Sequence, residues 1–132
     1  MSARIRSFGR ALVADPDAPG DYDPHTSFAD EAHLYFDQDA SGRYFQSFSQ
    51  ELASNPGLLQ IGRSRLQPFR DWCVANGVRC FVGEYGIPGQ DPGWLDVLEN
   101  LLTAMDEAGM GGTYWAAGDW WGDYPLSVQP DG

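Results

Sequence analysis

The spacing of apolar positions changes period along the chain, and each change marks an element. Ala32-His33-Leu34-Tyr35-Phe36 alternates, which predicts a short strand over residues 32–36. His33 and Tyr35 share one face of it, Leu34 and Phe36 the other. Residues 44–52 read as a short irregular helix, broken by Asn55-Pro56-Gly57. Leu66, Phe69, Cys73 and Asn76 recur at helical spacing. Ser64-Arg65-Leu66-Gln67 reads as the capping box of that helix, Pro68 falls near its first turn, and Asn76-Gly77 is its stop. Cys80-Phe81-Val82 is apolar at consecutive positions, as in a strand covered on both faces, and Gly86 and Pro88 end the run that carries Glu84. Asp91-Pro92 reads as the N-cap and first residue of a second long helix. Leu95, Leu98, Leu101 or Leu102, Met105 and Ala108 mark its buried face, and Gly109 ends it. Residues 113–117 form a third predicted strand, followed by a loop rich in aromatics and a brief extended piece at 126–129.

The first part of the chain carries less signal. Ala11-Leu12-Val13-Ala14 reads as the tail of a helix stopped near Asp15-Pro16, residues 15–24 are turn chemistry, and residues 1–10 have no clear period.

Strand, helix, strand, helix, strand is the order of an α/β fold. Connections this long imply right-handed parallel crossovers, with both helices on one face of the sheet. The C-terminal ends of parallel strands share one edge. That edge would carry Glu84, His33, Tyr35 and Trp115. A charge is costly in a core and cheap at a strand's mouth, so Glu84 marks either a reactive carboxylate or a solvated residue opening a loop. His33 and Tyr35 are either its partners or hydrogen-bonded core residues.

Composition narrows the partners. The chain of 132 residues suffices for one domain, and 42% apolar content with five Trp argues for a packed core. Eight Arg stand against 19 acidic residues, with no lysine and a net charge of −11. Such a surface repels phosphate backbones, so nucleic acid is not an expected partner. The absence of lysine excludes Schiff-base chemistry through a lysine of this chain. No apolar run reaches the ~20 residues of a membrane span, and residues 1–10 have three Arg but no apolar segment of a signal peptide.

Two further features leave alternatives open. Cys73 and Cys80 are two buried thiols, or they pair if a helix end and a strand start approach closely. Asp37-Gln38-Asp39-Ala40-Ser41-Gly42 has the opening spacing of a calcium loop, but Phe48 stands at the twelfth position where a bidentate Glu is needed, so a plain Asp-rich turn is the expectation. Two His and two Cys make no zinc pattern, and no P-loop, G-x-S-x-G or G-x-G-x-x-G is present. Neither a cofactor nor a metal is expected.

Aromatic faces beside carboxylates suit sugars: pyranose C–H faces pack on indoles, and hydroxyls bond to Asp, Glu, Tyr and His. Phe81-Val82-Gly83-Glu84-Tyr85-Gly86, His33-Leu34-Tyr35 and Tyr114-Trp115-Ala116 together resemble glycoside hydrolase family 5, the cellulase family. The stretch Thr113-Tyr114-Trp115-Ala116-Ala117-Gly118-Asp119-Trp120-Trp121-Gly122-Asp123-Tyr124 looks most like its bacterial and fungal endo-β-1,4-glucanases. The resemblance runs from about Ala11 to Pro130 and leaves residues 1–10 unmatched. It implies a (β/α)₈ barrel, usually of about 250 residues, with this chain as its C-terminal part, about strands six to eight. Residues 1–132 would then be a partial catalytic domain, with the N-terminal half of the barrel as its missing partner.

By the same resemblance Glu84 is the retaining nucleophile, Tyr35 holds it, and His33 lines the cleft. Trp115 lies under the sugar being cleaved, and Trp120 and Trp121 bind further along the glucan. The implied activity is hydrolysis of β-1,4-glucosidic bonds, and the implied location is secreted or periplasmic. The chain departs from the family in lacking the first-strand Arg, the His before the general acid, and the acid itself. The family's general acid is the Glu of an Asn-Glu pair, and here Asn55, Asn76 and Asn100 precede Pro, Gly and Leu. A non-catalytic β-glucan-binding remnant, or another family activity such as β-mannanase, are the alternatives.

Overall fold

The computed structural model describes residues 7–12 and 28–128. Their strands form one sheet in the order β1-β2-β3-β4, with β1 Ser7–Leu12, β2 Phe28–His33, β3 Cys80–Tyr85 and β4 Gly111–Tyr114. β2 pairs with β3 and β3 with β4 in parallel, as the alternation of elements predicts. The first of these strands starts earlier than residues 32–36. Its ladder slips between Ala32 and His33, yet the chain stays in step beyond it, because the Leu34 N–H donates to the Glu84 carbonyl at 2.8 Å. Alternation therefore persists past the strand proper. Ala32, Leu34 and Phe36 lie in the core, while Tyr35 is turned toward Glu84 on β3.

β1 corrects the reading of Ala11 and Leu12 as a helix tail. It pairs antiparallel with β2, from Ser7 opposite His33 to Leu12 opposite Phe28. The pairing satisfies the backbone groups along the edge of β2 that β3 leaves open, a demand no local period in the sequence reports. The turn-rich residues 15–24 and the stop near Asp15-Pro16 lie outside the described residues.

The helices cover the face of the sheet that carries Ala32 and Val82. Helix α1, Phe48–Ser54, opens at Ser47, whose hydroxyl accepts the Gln50 N–H while the Gln50 side chain accepts the Ser47 N–H. Helix α2, Ile61–Asn76, continues directly from a 3₁₀ turn, Leu58–Gln60. Ser64 is therefore inside α2 and does not cap it, and Pro68 sits mid-helix. Both are exposed, so the proline ring and the carbonyl it leaves unpaired face water. Gly77 ends α2 at φ 61°, a left-handed position that glycine takes at no steric cost.

Helix α3, Trp94–Glu107, starts later than expected. Asp91 and Pro92 form the turn before it, and the Asp91 carboxylate accepts the Phe48 N–H of α1 at 2.7 Å. The buried face is also rotated: Trp94, Val97, Leu101, Ala104 and Met105 point inward, Leu98 and Ala108 are half-buried, and Leu95 and Leu102 are exposed. Trp94 sets this phase. Its indole is fully buried, edge-on to the rings of Tyr44 and Phe48. A Cβ at Gly93 would run into the Phe48 ring, which is why the chain enters α3 through a glycine.

β4 includes Gly111 and Gly112 ahead of the residues expected. A Cβ on Gly112 would come within 2.6 Å of the Met105 side chain and 2.8 Å of the Val82 carbonyl, so the glycine lets β4 pack close between β3 and α3. A cis peptide joins Trp115 to Ala116. The expected extended piece near the end is a single parallel bridge, Ala117 to Val128. Cys73 and Cys80 are not two free thiols but a disulfide: the last turn of α2 brings Cys73 to a Cα separation of 6.2 Å from Cys80 at the start of β3.

Candidate active site

The site forms where β2 and β3 end. Glu84, inside β3, follows Gly83 and lies opposite His33 in the shifted register. That shift turns Glu84 to the side of the sheet shared by His33 and Tyr35. The Tyr35 hydroxyl donates to Glu84 Oε2 at 2.8 Å, and His33 Nδ1 lies 3.3 Å from the same oxygen. Tyr35 is itself buried, and the Glu84 side chain keeps only 20% exposure. A phenol donor fixes the carboxylate's orientation.

The loop after Tyr35 locks the phenol. Asp37 is buried, and its carboxylate accepts the Ser41 hydroxyl and the N–H groups of Gly42, Arg43 and Tyr44 at 3.0–3.1 Å. The residues with calcium-loop spacing are thus an Asp-centred turn saturated by its own donors. A Cβ on Gly42 would press on the Tyr35 ring at 2.8 Å, and this glycine sits at φ 76°, so the loop folds directly over the phenol. Arg65 of α2 is buried too and donates to the carbonyls of Tyr35 and Asp37, at 2.5 and 2.8 Å. The Tyr44 hydroxyl donates to the Gly86 carbonyl at 2.6 Å, tying the same loop to the end of β3. Burial pushes the Tyr44 phenol well above its ordinary pKa, so it remains a donor.

The aromatic wall follows β4. The Trp115 N–H donates to the Tyr85 carbonyl at 2.8 Å, which places Trp115 beside the residue after Glu84. A Cβ on Gly86 would collide with the Trp115 carbonyl, so glycine is needed for that approach. The Trp121 ring meets Trp115 edge-on at 4.9 Å, and Tyr124 follows Trp121 at 5.2 Å. Trp120 stands apart from this row at 91% exposure. Of the expected residues, the structure brings Glu84, Tyr35 and His33 into contact, pairs Trp115 with Trp121, and leaves Trp120 in solvent.

Four residues escaped the sequence reading. Tyr124 extends the aromatic row, while Asp37 and Arg65 lock the Tyr35 loop. Glu31 lies within β2, and its Oε1 is 2.7 Å from His33 Nε2. Alternation from His33 back by two positions would have found Glu31, had the strand been started at Phe28 rather than Ala32. Among the described residues no group of three or more His, Cys, Asp or Glu is placed to hold a metal ion.

Comparison with known proteins identifies the family. The profile of Cellulase (glycosyl hydrolase family 5) matches residues 9–120. Endo-beta-1,4-glucanase B of Emericella nidulans is 31% identical over 111 residues, covering 82% of this chain and 31% of its own length. Among solved structures, a triple-mutant endo-beta-1,4-glucanase of Xanthomonas axonopodis pv. citri is 38% identical with a TM-score of 0.67, covering 83% of this chain and 33% of that one. XacCel5A, solved in complex with cellopentaose, is 36% identical with a TM-score of 0.67 and the same coverage. The chain thus spans about a third of the length of the curated relatives it matches. Its parallel strands and crossover helices are part of a (β/α)₈ barrel. By its profile match, its relatives and its fold, the chain belongs to the cellulase family, glycosyl hydrolase family 5.

Proposed function

We propose that this chain is the part of a retaining endo-β-1,4-glucanase that carries the nucleophile, Glu84. The supporting observation is the 2.8 Å hydrogen bond from the buried Tyr35 to Glu84 Oε2, which holds one carboxylate oxygen and leaves the other to attack an anomeric carbon. The Trp115–Trp121–Tyr124 row supplies faces for the sugar rings of a β-glucan. Two of the relatives named above are endo-β-1,4-glucanases, and XacCel5A is solved in complex with cellopentaose.

Retaining hydrolysis needs a second carboxyl about 5–5.5 Å from the nucleophile to protonate the leaving group. Glu31 does not fill that role, because the His33 ring stands between it and Glu84, with Nε2 toward one and Nδ1 toward the other. Glu51 is buried against the Gln38 N–H, and Glu99 and Glu107 lie on α3. No other Glu of the described residues fills the role, so the expected acid is a Glu from another part of the barrel, and the chain alone turns over little or no glucan.

The test is release of reducing ends from soluble β-1,4-glucan. The 132-residue chain alone should give none, and the chain mixed with a separately made N-terminal part of a related barrel should give activity. Glu84→Gln should abolish it while glucan binding persists. Activity within about tenfold of the parent would remove Glu84 from the nucleophile role. Glucan binding by the chain with no activity in any mixture would favour a non-catalytic binding remnant, a reading the exposed Trp120 supports.

A further inference from the structure

His33 lies between two carboxylates, and the two contacts differ. Nε2 is 2.7 Å from Glu31 Oε1, while Nδ1 is 3.3 Å from Glu84 Oε2. Glu84 Oε2 already accepts the Tyr35 hydroxyl at 2.8 Å. An ionised carboxylate only accepts, so the 2.7 Å contact needs a proton on Nε2. A neutral imidazole has one N–H to give. Spent on Glu31, it leaves Nδ1 with a lone pair facing the nucleophile.

The backbone of the neighbouring strand makes room for this arrangement. A Cβ at position 83 would come 2.7 Å from Glu31 Oε2 and 2.9 Å from its carboxyl carbon, with no flexible group able to give way except the Glu31 side chain itself. Glycine at 83 thus lets the Glu31 carboxylate lie flat across β3 and reach His33. Glu31 and His33 keep only 27% and 21% side-chain exposure, so water competes poorly for the bond. Among the described residues, the charged and titratable groups around the imidazole are Glu31 from β2, Tyr35 just after it and Glu84 from β3.

We propose that Glu31 is a positioning residue: it fixes the proton of His33 on Nε2, so that neutral His33 offers Glu84 no hydrogen and Tyr35 remains the donor that orients the nucleophile. This rests on the reading of Glu84 as the nucleophile. A second donor at Oε2 would draw further charge from the carboxylate and so weaken attack by its free oxygen. Glu31 prevents that by winning the single proton.

The experiment reads the proton directly and needs no turnover. The 132-residue chain carrying ¹⁵N-labelled imidazole is studied by NMR at a pH where His33 is neutral, with His25→Gln leaving one histidine. The parent should show Nε2 as the protonated nitrogen. Glu31→Leu removes the acceptor, so Glu84 becomes the one acceptor in reach and the major tautomer should switch to Nδ1–H. Glu31→Gln keeps a carbonyl oxygen and should retain Nε2–H. Gly83→Ala, which displaces the carboxylate without removing it, should shift the tautomer as Glu31→Leu does. Nδ1–H in the parent, or Nε2–H kept in both Glu31→Leu and Gly83→Ala, overturns the proposal. Glucanase activity in the mixed assay can fail while this tautomer pattern holds, or hold while it fails, so the two readings are separable.

Discussion

Asp37 and Glu51 are both buried acids, and their surroundings treat them differently. Asp37 accepts four hydrogen bonds from its own loop. Glu51 accepts the Gln38 N–H at 3.2 Å. Loss of solvent raises the Glu51 pKa; the Gln38 N–H and the Arg65 charge oppose this, and the Asp37 charge adds to it. The folded chain therefore holds a proton on Glu51 more tightly than the unfolded chain does. Its ionised form weakens the fold above the folded pKa, and the penalty disappears once pH falls below the unfolded value near 4.3. Glu51→Gln keeps an oxygen for Gln38 and removes the charge. It should raise the urea midpoint at pH 7, with a gain that shrinks toward zero as the pH is lowered to about 4. A gain of equal size at both pH values would show that the charge is not the cause. At this scale the sequence was legible where one residue broke a local pattern. Glu84 interrupts an apolar run, and His33 and Tyr35 alternate with core residues. Glu31 shared their face by alternation, but its contact with His33 was not legible, because it depends on the absence of a side chain at Gly83 on another strand.

Helix α3 shows how an element can be legible in kind and displaced in phase. Its leucines recur on two adjacent stripes, and periodicity alone does not choose between them. Trp94 chooses, since its indole fits only against Tyr44 and Phe48 and so turns Leu101 inward and Leu102 outward. The consequence is measurable in a pair of substitutions on neighbouring residues. Leu101→Ala empties a fully buried site and should cost about 2–5 kcal/mol. Leu102→Ala, at 38% exposure, should cost about 1 kcal/mol or less. Equal costs by urea denaturation would return α3 to the phase its leucines alone suggest. The strands follow the same logic. β3 was readable from its consecutive apolar residues, and the face alternation of residues 32–36 was right although the ladder begins at Phe28. β1 was unreadable, because it forms by matching the edge of β2 and not by any pattern of its own.

Across the whole molecule, the chemistry and the covalent link sit at opposite ends of β3. Glu84 is near its C-terminal end, and Cys80 at its start is bonded to Cys73 on the last turn of α2. The disulfide spans a separation of seven residues and closes the α2–β3 connection on the side away from the site. Such bonds persist in oxidising compartments, the kind of compartment that the resemblance to the family implies. In the chain-entropy account, a loop this short contributes about 2.5 kcal/mol by restricting the unfolded chain. Reduction should therefore lower the unfolding free energy by about 2 kcal/mol, seen as a lower urea midpoint with added thiol reductant. Cys73→Ser with Cys80→Ser should reproduce that midpoint and make it insensitive to reductant. The Tyr35–Glu84 bond lies on the far side of the strand and is held by Asp37, Arg65 and Gly42, none of which touches the disulfide. In the mixed assay the reduced chain should accordingly keep its activity below its new midpoint and lose it only on unfolding. Activity that fell on reduction while the fold remained intact would mean that the two ends of β3 are coupled.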